Sequence, residues 1–432
     1  MSPAEHRPDT LPHLDIVGHG VYARGVPHAA YDEFRAVAPV AWVNETEDNG
    51  HDGSGFWSLT AHSDVVAVHK DWRTFSSEVG GTEIEDLQHD PEALLARRTM
   101  LETDPPRHTK LRQLVNPTFS KLAVQRYAEQ AELLVNEVLS DAIAATAANG
   151  SVDGMYAVAR ELPIRMITGL LGVPDDDAAQ LFHWADQIVY NADPDYSPAV
   201  SDQVDTDPYR LLPFRSPVSL KVFDYVQRLT AARKGVEAGD LLGVLANALV
   251  DGEPLTDREQ GTFFLLLLIA GNETTRHALA GALLVLAEHP GALHQLRAQP
   301  DLLDSATEEV LRWTCPQLHF RRTATIDTEV GGVPIAAGDK LVTWYLAANF
   351  DPAEFAQPHV FDIARTPNRH VTFGGGGPHL CLGQWMARLE VRTFLAALAA
   401  RVDRVELAGE PRRVRSNFIN ALKVLPVALV PR

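Results

Sequence analysis

Four groups of residues in this sequence have types and spacings that could do chemistry. The first lies in residues 370–383, HVTFGGGGPHLCLG, where Cys381 follows four glycines, a proline and a histidine. A helix-compatible run, LGQWMARLEVRTFLAALAA, comes directly after. Glycine has no side chain to bury, so the run suits unusual backbone dihedrals or a close approach to something large and flat. A cysteine just ahead of a helix N-terminus meets free amide N–H groups and the positive end of the dipole, which favour a thiolate. A thiolate beside open space is what an iron ligand needs; on haem it pushes electron density toward O–O cleavage. Three plainer readings compete. Cys381 could be an inert buried thiol, the glycines a phosphate loop, or His379 and Cys381 half of a zinc site. No Lys-Ser/Thr follows the glycines, and Cys315 is the only other cysteine.

The second group is His108 and Arg112, four apart in LETDPPRHTKLRQLVNPTF, so that both project from one face of a helix starting near Asp104-Pro105-Pro106. Together they could clamp a carboxylate. The third is Ala270-Gly271-Asn272-Glu273-Thr274-Thr275, which follows seven apolar residues. Glycine and back-bonding threonine weaken a helix locally, so a bend is expected there, with Glu273 and Thr274 lining the groove it opens. The plainer alternative is a helix end with Glu273 capping the next helix. The fourth is Glu309-x-x-Arg312; taken alone it says little, because Glu273–Arg276 and Glu410–Arg413 share the spacing.

In their order along the chain these motifs resemble those of the cytochrome P450 family. Phe373 stands eight positions before Cys381, where the family usually has seven. That extra glycine is shared by the bacterial branch that oxidises sterol and branched-lipid side chains. The resemblance implies that Cys381 ligates haem b and that His108, Arg112, Arg322 and His370 meet its propionates. Phe373, Gly375, His379, Gly383 and Ala270 would border the cofactor. AGNET matches the oxygen-activation motif at every position, with Thr274 and Glu273 delivering protons. Glu309, Arg312 and Arg365 would form a structural network. Leu266, Leu267, Gln317, Leu318, His319 and Phe418 would line the substrate pocket.

The elements that must position these residues are mostly helices. Helical patterns run over about 121–148, 155–172, 174–190, 217–235, 239–250 and 256–288. VAWVN and GFWSLT, either side of the polar insert ETEDNGHDGS, read as a hairpin. Residues 72–97 read as a loop-rich lid, and residues 319–349 alternate like strands with glycine turns. The expected fold is therefore mainly α: one P450 domain over 1–432 with small sheets, and haem between the long central helix and the helix after the cysteine loop.

The formal net charge of −19 argues against nucleic-acid binding. Two cysteines make no disulfide framework, MSPAEHRPDT shows no signal core, and the longest apolar run is too short to span a membrane. A cytoplasmic monomer is expected. The implied reaction is hydroxylation of an unactivated C–H bond in a hydrophobic small molecule, using O2 and electrons from NAD(P)H through a ferredoxin reductase and ferredoxin. Arg107, Lys110, Arg369 and Arg388 are expected to form a basic patch for that ferredoxin. Sterol or branched-lipid side chains are the first expectation for substrate. Gln317 and His319 point to a second, tailoring of an oxygenated secondary metabolite. A haem-thiolate sensor, isomerase or peroxygenase would not need the intact Glu273-Thr274 pair.

Overall fold

The computed structural model describes residues 9–45, 55–197, 199–201, 203–237 and 239–432. The first eight residues and most of the polar hairpin insert fall outside them. The central element is the helix Asp257–Glu288, 32 residues long. It begins at a reciprocal cap in which Thr256 accepts from the Glu259 amide and Glu259 accepts from the Thr256 amide. Nearly every turn is buried, because Glu161–Leu171, Ser219–Arg233, Leu303–Thr314 and Gln384–Arg401 all pack around it. An all-round apolar helix of this kind belongs inside a large core.

The helix runs unbroken through residues 270–275 to Glu288, so the polar segment is not a helix end followed by a new start. Gly271 also serves packing. A Cβ there would lie 2.8 Å from Ile167 Cδ1 on the neighbouring helix. The expected helices elsewhere are divided. Residues 121–148 split into Lys121–Val124 and Ala128–Asn149, and 155–172 opens with a π turn at Met155–Ala159 before Glu161–Leu171. The stretch 174–190 begins with a 3-10 turn before Ala178–Val189, and 239–250 shortens to Leu241–Asn247 with a strand pair after it. The lid region contains a short strand, Phe75–Ser76, and a helix, Pro91–Arg97.

The predicted hairpin pairs as Val40–Val43 with Phe56–Leu59 in antiparallel register. It joins Lys340–Trp344, His319–Ala324 and Phe75–Ser76, in that order, in a five-stranded sheet. A second hydrophobic core lies on this sheet, against helix His62–Lys70 and the N-terminal helices. The larger core surrounds the central helix. Among the described residues, no helix is long and apolar enough to cross a membrane.

Candidate active site

One cavity opens between the two cores, and the cysteine loop and the central helix both line it. The loop owes its shape to the helix His62–Lys70. A Cβ on Gly375 would lie 2.8 Å from Val66 Cα, and one on Gly377 would lie 2.2 Å from the His69 carbonyl oxygen. Gly374, Gly376 and Gly377 also hold φ of +91°, +110° and +72°. The close approach is thus to a neighbouring backbone, which only glycine permits here. Gly375 accordingly faces that helix and is not in the cavity wall, contrary to expectation. A Cβ on Gly383 would meet nothing within 4 Å, and Gly383, Phe373 and His379 do line the cavity.

Cys381 lines it too, tied by its amide to the Phe373 carbonyl at 2.9 Å. Burial pushes the thiol pKa up, opposed by the Gly383 and Gln384 amides and by Arg112 and Arg388. The amides at the start of Gln384–Arg401 therefore act on the sulfur as expected. Among the described residues no cluster of three His, Cys, Asp or Glu side chains could hold a metal, so the zinc reading of His379 and Cys381 finds no further ligands there.

Four nitrogen-bearing side chains converge on the same cavity: His108, Arg112, Arg322 and His379. The His108 and His379 rings lie 4.2 Å apart. His108 Nδ1 and His379 Nε2 are buried without a hydrogen-bond partner. Among the described residues, Arg112 gives one bond, to the Pro378 carbonyl at 3.2 Å, and Arg322 bonds only to the Arg321 carbonyl and His69. Neither guanidinium has a carboxylate partner among the described residues. Burial, then Arg112 and Arg322, lowers the His108 pKa to about 4. Such a group is costly to bury unless an anion arrives to pair with it. A doubly carboxylated planar cofactor such as haem fits that need, and Cys381 in the same cavity could ligate its iron.

His370 does not join this set. Its Nε2 is 3.1 Å from Glu308, whose carboxylate also accepts from Arg388 at 2.7 Å. Burial would raise the Glu308 pKa, yet His370 and Arg388 hold it down to about 2. His370 thus braces the loop from behind. The expected basic patch is also largely neutralised: Arg107 pairs with Glu259, Lys110 with Asp251, Arg369 with Glu354 and Arg388 with Glu308.

From the central helix, Leu266, Ala270 and Thr274 present one face, four residues apart, to the cavity. Thr274 Oγ1 donates to the Ala270 carbonyl at 2.7 Å. Its hydrogen is spent on the helix, so its oxygen faces the cavity as an acceptor. Glu273 reaches the wall, but its carboxylate is turned into the protein. Asn272 donates to one oxygen at 2.8 Å. The other accepts from Tyr190 OH at 2.5 Å and from Arg276. Arg276 is shared with Asp186 at 2.8 Å. His277 Nδ1 accepts from the Leu422 amide at 3.3 Å, which leaves the Nε2 proton for Tyr190 OH. Burial raises the Glu273 pKa and Arg276 pulls it back. Asp186, Tyr190, Arg276 and His277 were missed in the sequence. The one available signal was the Glu273–Arg276 spacing, which looked like coincidence.

Glu309 and Arg312, both fully buried, pair through two bonds of 2.8 Å, and Arg365 adds a third contact at 3.1 Å. Asn368 Nδ2 and the Asp362 amide complete the carboxylate at 3.0 Å each, and Arg312 Nη1 reaches the Asn349 and Pro358 carbonyls. Both Glu309 oxygens are satisfied, while Asn368 Oδ1 is buried without a partner, and the network lies outside the cavity. Of the expected pocket residues, Leu266, Leu267, Gln317 and Phe418 line it; Leu318 and His319 do not. His319 sits on the alternate face of its strand, against Trp344. Gln317 spends its amide hydrogens on the His319 and Phe418 carbonyls.

The cytochrome P450 family model matches residues 59–403. A steroid C26-monooxygenase of Mycobacterium tuberculosis is 34% identical over 423 residues, covering 96% of this chain and 92% of that protein. A methyl-branched lipid omega-hydroxylase of the same organism is 36% identical over 404 residues, covering 93% and 91%. Among solved structures, a Mycobacterium marinum cytochrome P450 in complex with pseudoionone superposes with a TM-score of 0.87 at 34% identity. That match covers 99% of this chain and 100% of the other.

Proposed function

This chain belongs to the cytochrome P450 family and is a monooxygenase, and from that premise we propose that it hydroxylates an unactivated C–H bond on a sterol or branched-lipid side chain. Residues 1–432 act as one such domain. The observation that carries this reading is the cavity itself, where Cys381 and the Leu266–Ala270–Thr274 face border one largely apolar space. Cys381 would ligate haem b, and His108, Arg112, Arg322 and His379 would pair with its propionates. When bound, haem supplies the oxidising centre that transfers one oxygen atom of O2 to the substrate.

The remaining work falls to side chains. Thr274 Oγ1, as an acceptor, holds a water in the cavity. Glu273, which accepts from Asn272, Tyr190 and Arg276, takes up a proton from solvent as it leaves Arg276 and Tyr190 and passes it to that water. The apolar wall excludes other water, so the order of proton arrival is controlled. Electrons would come from NAD(P)H through a ferredoxin reductase and ferredoxin in the cytoplasm, to a monomeric enzyme. Tailoring of a secondary metabolite is the second reading, favoured by Gln317 in the cavity wall. Optical titrations with sterols, branched fatty acids and macrolides separate the two. Tight binding of a sterol or branched lipid, followed by a terminally hydroxylated product, supports the first. Binding of macrolides alone supports the second.

A further inference from the structure

The cavity wall between residues 80 and 102 carries an acid that neither cofactor nor proton delivery uses. Glu83, Glu85 and Glu102 all line this stretch. Glu102 accepts from Thr82 Oγ1 at 2.6 Å and from the Thr99 amide at 3.1 Å. Glu85 is held between Arg97 at 2.5 Å and Arg215 at 2.6 Å. Glu83 has no hydrogen bond or ion pair with any described residue. Arg97, the nearby cation, spends Nε on the Arg210 carbonyl at 2.6 Å and Nη1 on Glu85.

The backbone presenting Glu83 is fixed from the sheet side. The Arg321 amide donates to the Thr82 carbonyl at 2.8 Å, and Arg321 Nη1 donates to the Glu85 carbonyl at 2.7 Å. Lys340 Nζ reaches the Ile84 carbonyl at 3.3 Å. Both basic side chains are buried in adjacent strands of the five-stranded sheet. Glu83 is therefore a placed group and not the tip of a loose loop. Burial pushes its carboxyl up to about 8, with Glu85 and Glu102 adding to the shift and Arg97 opposing it. Near neutral pH it offers one O–H donor and one carbonyl acceptor. A hydroxyl group, which both donates and accepts, is complementary to that pair. An ammonium group would first require the acid to ionise.

We propose that Glu83 anchors the substrate through a hydroxyl group on an otherwise apolar skeleton, and so fixes which end is left to react. This rests on the sterol or branched-lipid reading. Its test is optical titration of the haem-loaded protein with cholesterol and with cholest-5-ene, which has the same skeleton without the hydroxyl. The wild type should prefer cholesterol by about 10- to 100-fold, the range expected when a hydrogen bond is lost and its buried partner left unmet. Glu83→Leu should bring that ratio near one. Glu83→Gln, whose amide still donates and accepts, should keep most of it. The cholesterol affinity of the wild type should change between pH 7 and pH 9, and that change should vanish in Glu83→Gln. Equal ratios in wild type and Glu83→Leu, or a pH response shared by wild type and Glu83→Gln, overturn the anchor and leave the sterol reading standing. Failure of the folded wild type to bind either sterol overturns both.

Discussion

At the scale of single residues, the structure separates an acid and an alcohol that adjoin in sequence. Thr274 faces the cavity while Glu273, one residue before, turns its carboxylate toward Tyr190 and Arg276. Thr274→Ala removes the acceptor that would hold the proton-carrying water, and losing positioned proton transfer costs about 10²–10⁴-fold in the assisted step. The variant should keep substrate binding and NAD(P)H consumption while diverting much of the flux to hydrogen peroxide. Product formed per NAD(P)H checks this, and wild-type coupling would reduce Thr274 to a helix-bonded bystander. Glu273→Gln should slow turnover more than it uncouples, because the delivering acid is gone while the water site remains. The pH profile carries a sign. A carboxyl whose pKa is raised by burial holds its proton to higher pH than a free glutamate. A proton-delivery step that depends on Glu273 should thus slow as pH rises through that raised value. In Glu273→Gln this alkaline limb should flatten.

At the scale of elements, the motifs were legible and their supports were not. AGNET, the cysteine loop and His108-x-x-x-Arg112 could be read because each confines several chemically unusual residues to one turn or loop. The packing role of Gly271 could not, because it depends on Ile167 coming close from another helix. The same holds for His370, which the family resemblance assigned to the cofactor while its position brings it to Glu308. The glycine loop makes a direct prediction. Gly377→Ala would place a Cβ against the His69 carbonyl and hold alanine at a φ of +72°. Haem content should fall sharply, measured as the ratio of Soret to protein absorbance in purified material. Glu309→Ala would leave Arg312 buried and unpaired, a change that typically costs about 3–5 kcal/mol. Chemical denaturation should show that loss, with the surviving folded fraction still binding substrate.

At the scale of the molecule, the cavity lies between two hydrophobic cores and both contribute to its wall. A cofactor seated there would join them, and it would neutralise the His108, Arg112, Arg322 and His379 group. Extracting haem should accordingly lower the melting temperature, since a ligand bound only by the folded state stabilises it by mass action. Calorimetry of extracted and reconstituted protein checks this; equal melting temperatures would mean that the cofactor is not what the convergent nitrogens await. The pairing of Arg107, Lys110, Arg369 and Arg388 with acids shows why a docking face read from basic residues alone misleads. Their acidic partners lie from 15 to 152 positions away in the sequence.

The most direct test of the whole account is the spectrum of the reduced protein with carbon monoxide, because it reports the axial ligand itself. The wild type should give the red-shifted Soret band of a cysteine-ligated haem. Cys315→Ala should give the same band, since Cys315 is fully buried, its thiol is pushed up to about 12 by burial, and its Sγ lies 3.4 Å from the Gln317 carbonyl. Cys381→Ala should abolish the band without unfolding the chain. A band that survives in Cys381→Ala, or is lost in Cys315→Ala, would contradict the assignment of Cys381 as the haem ligand.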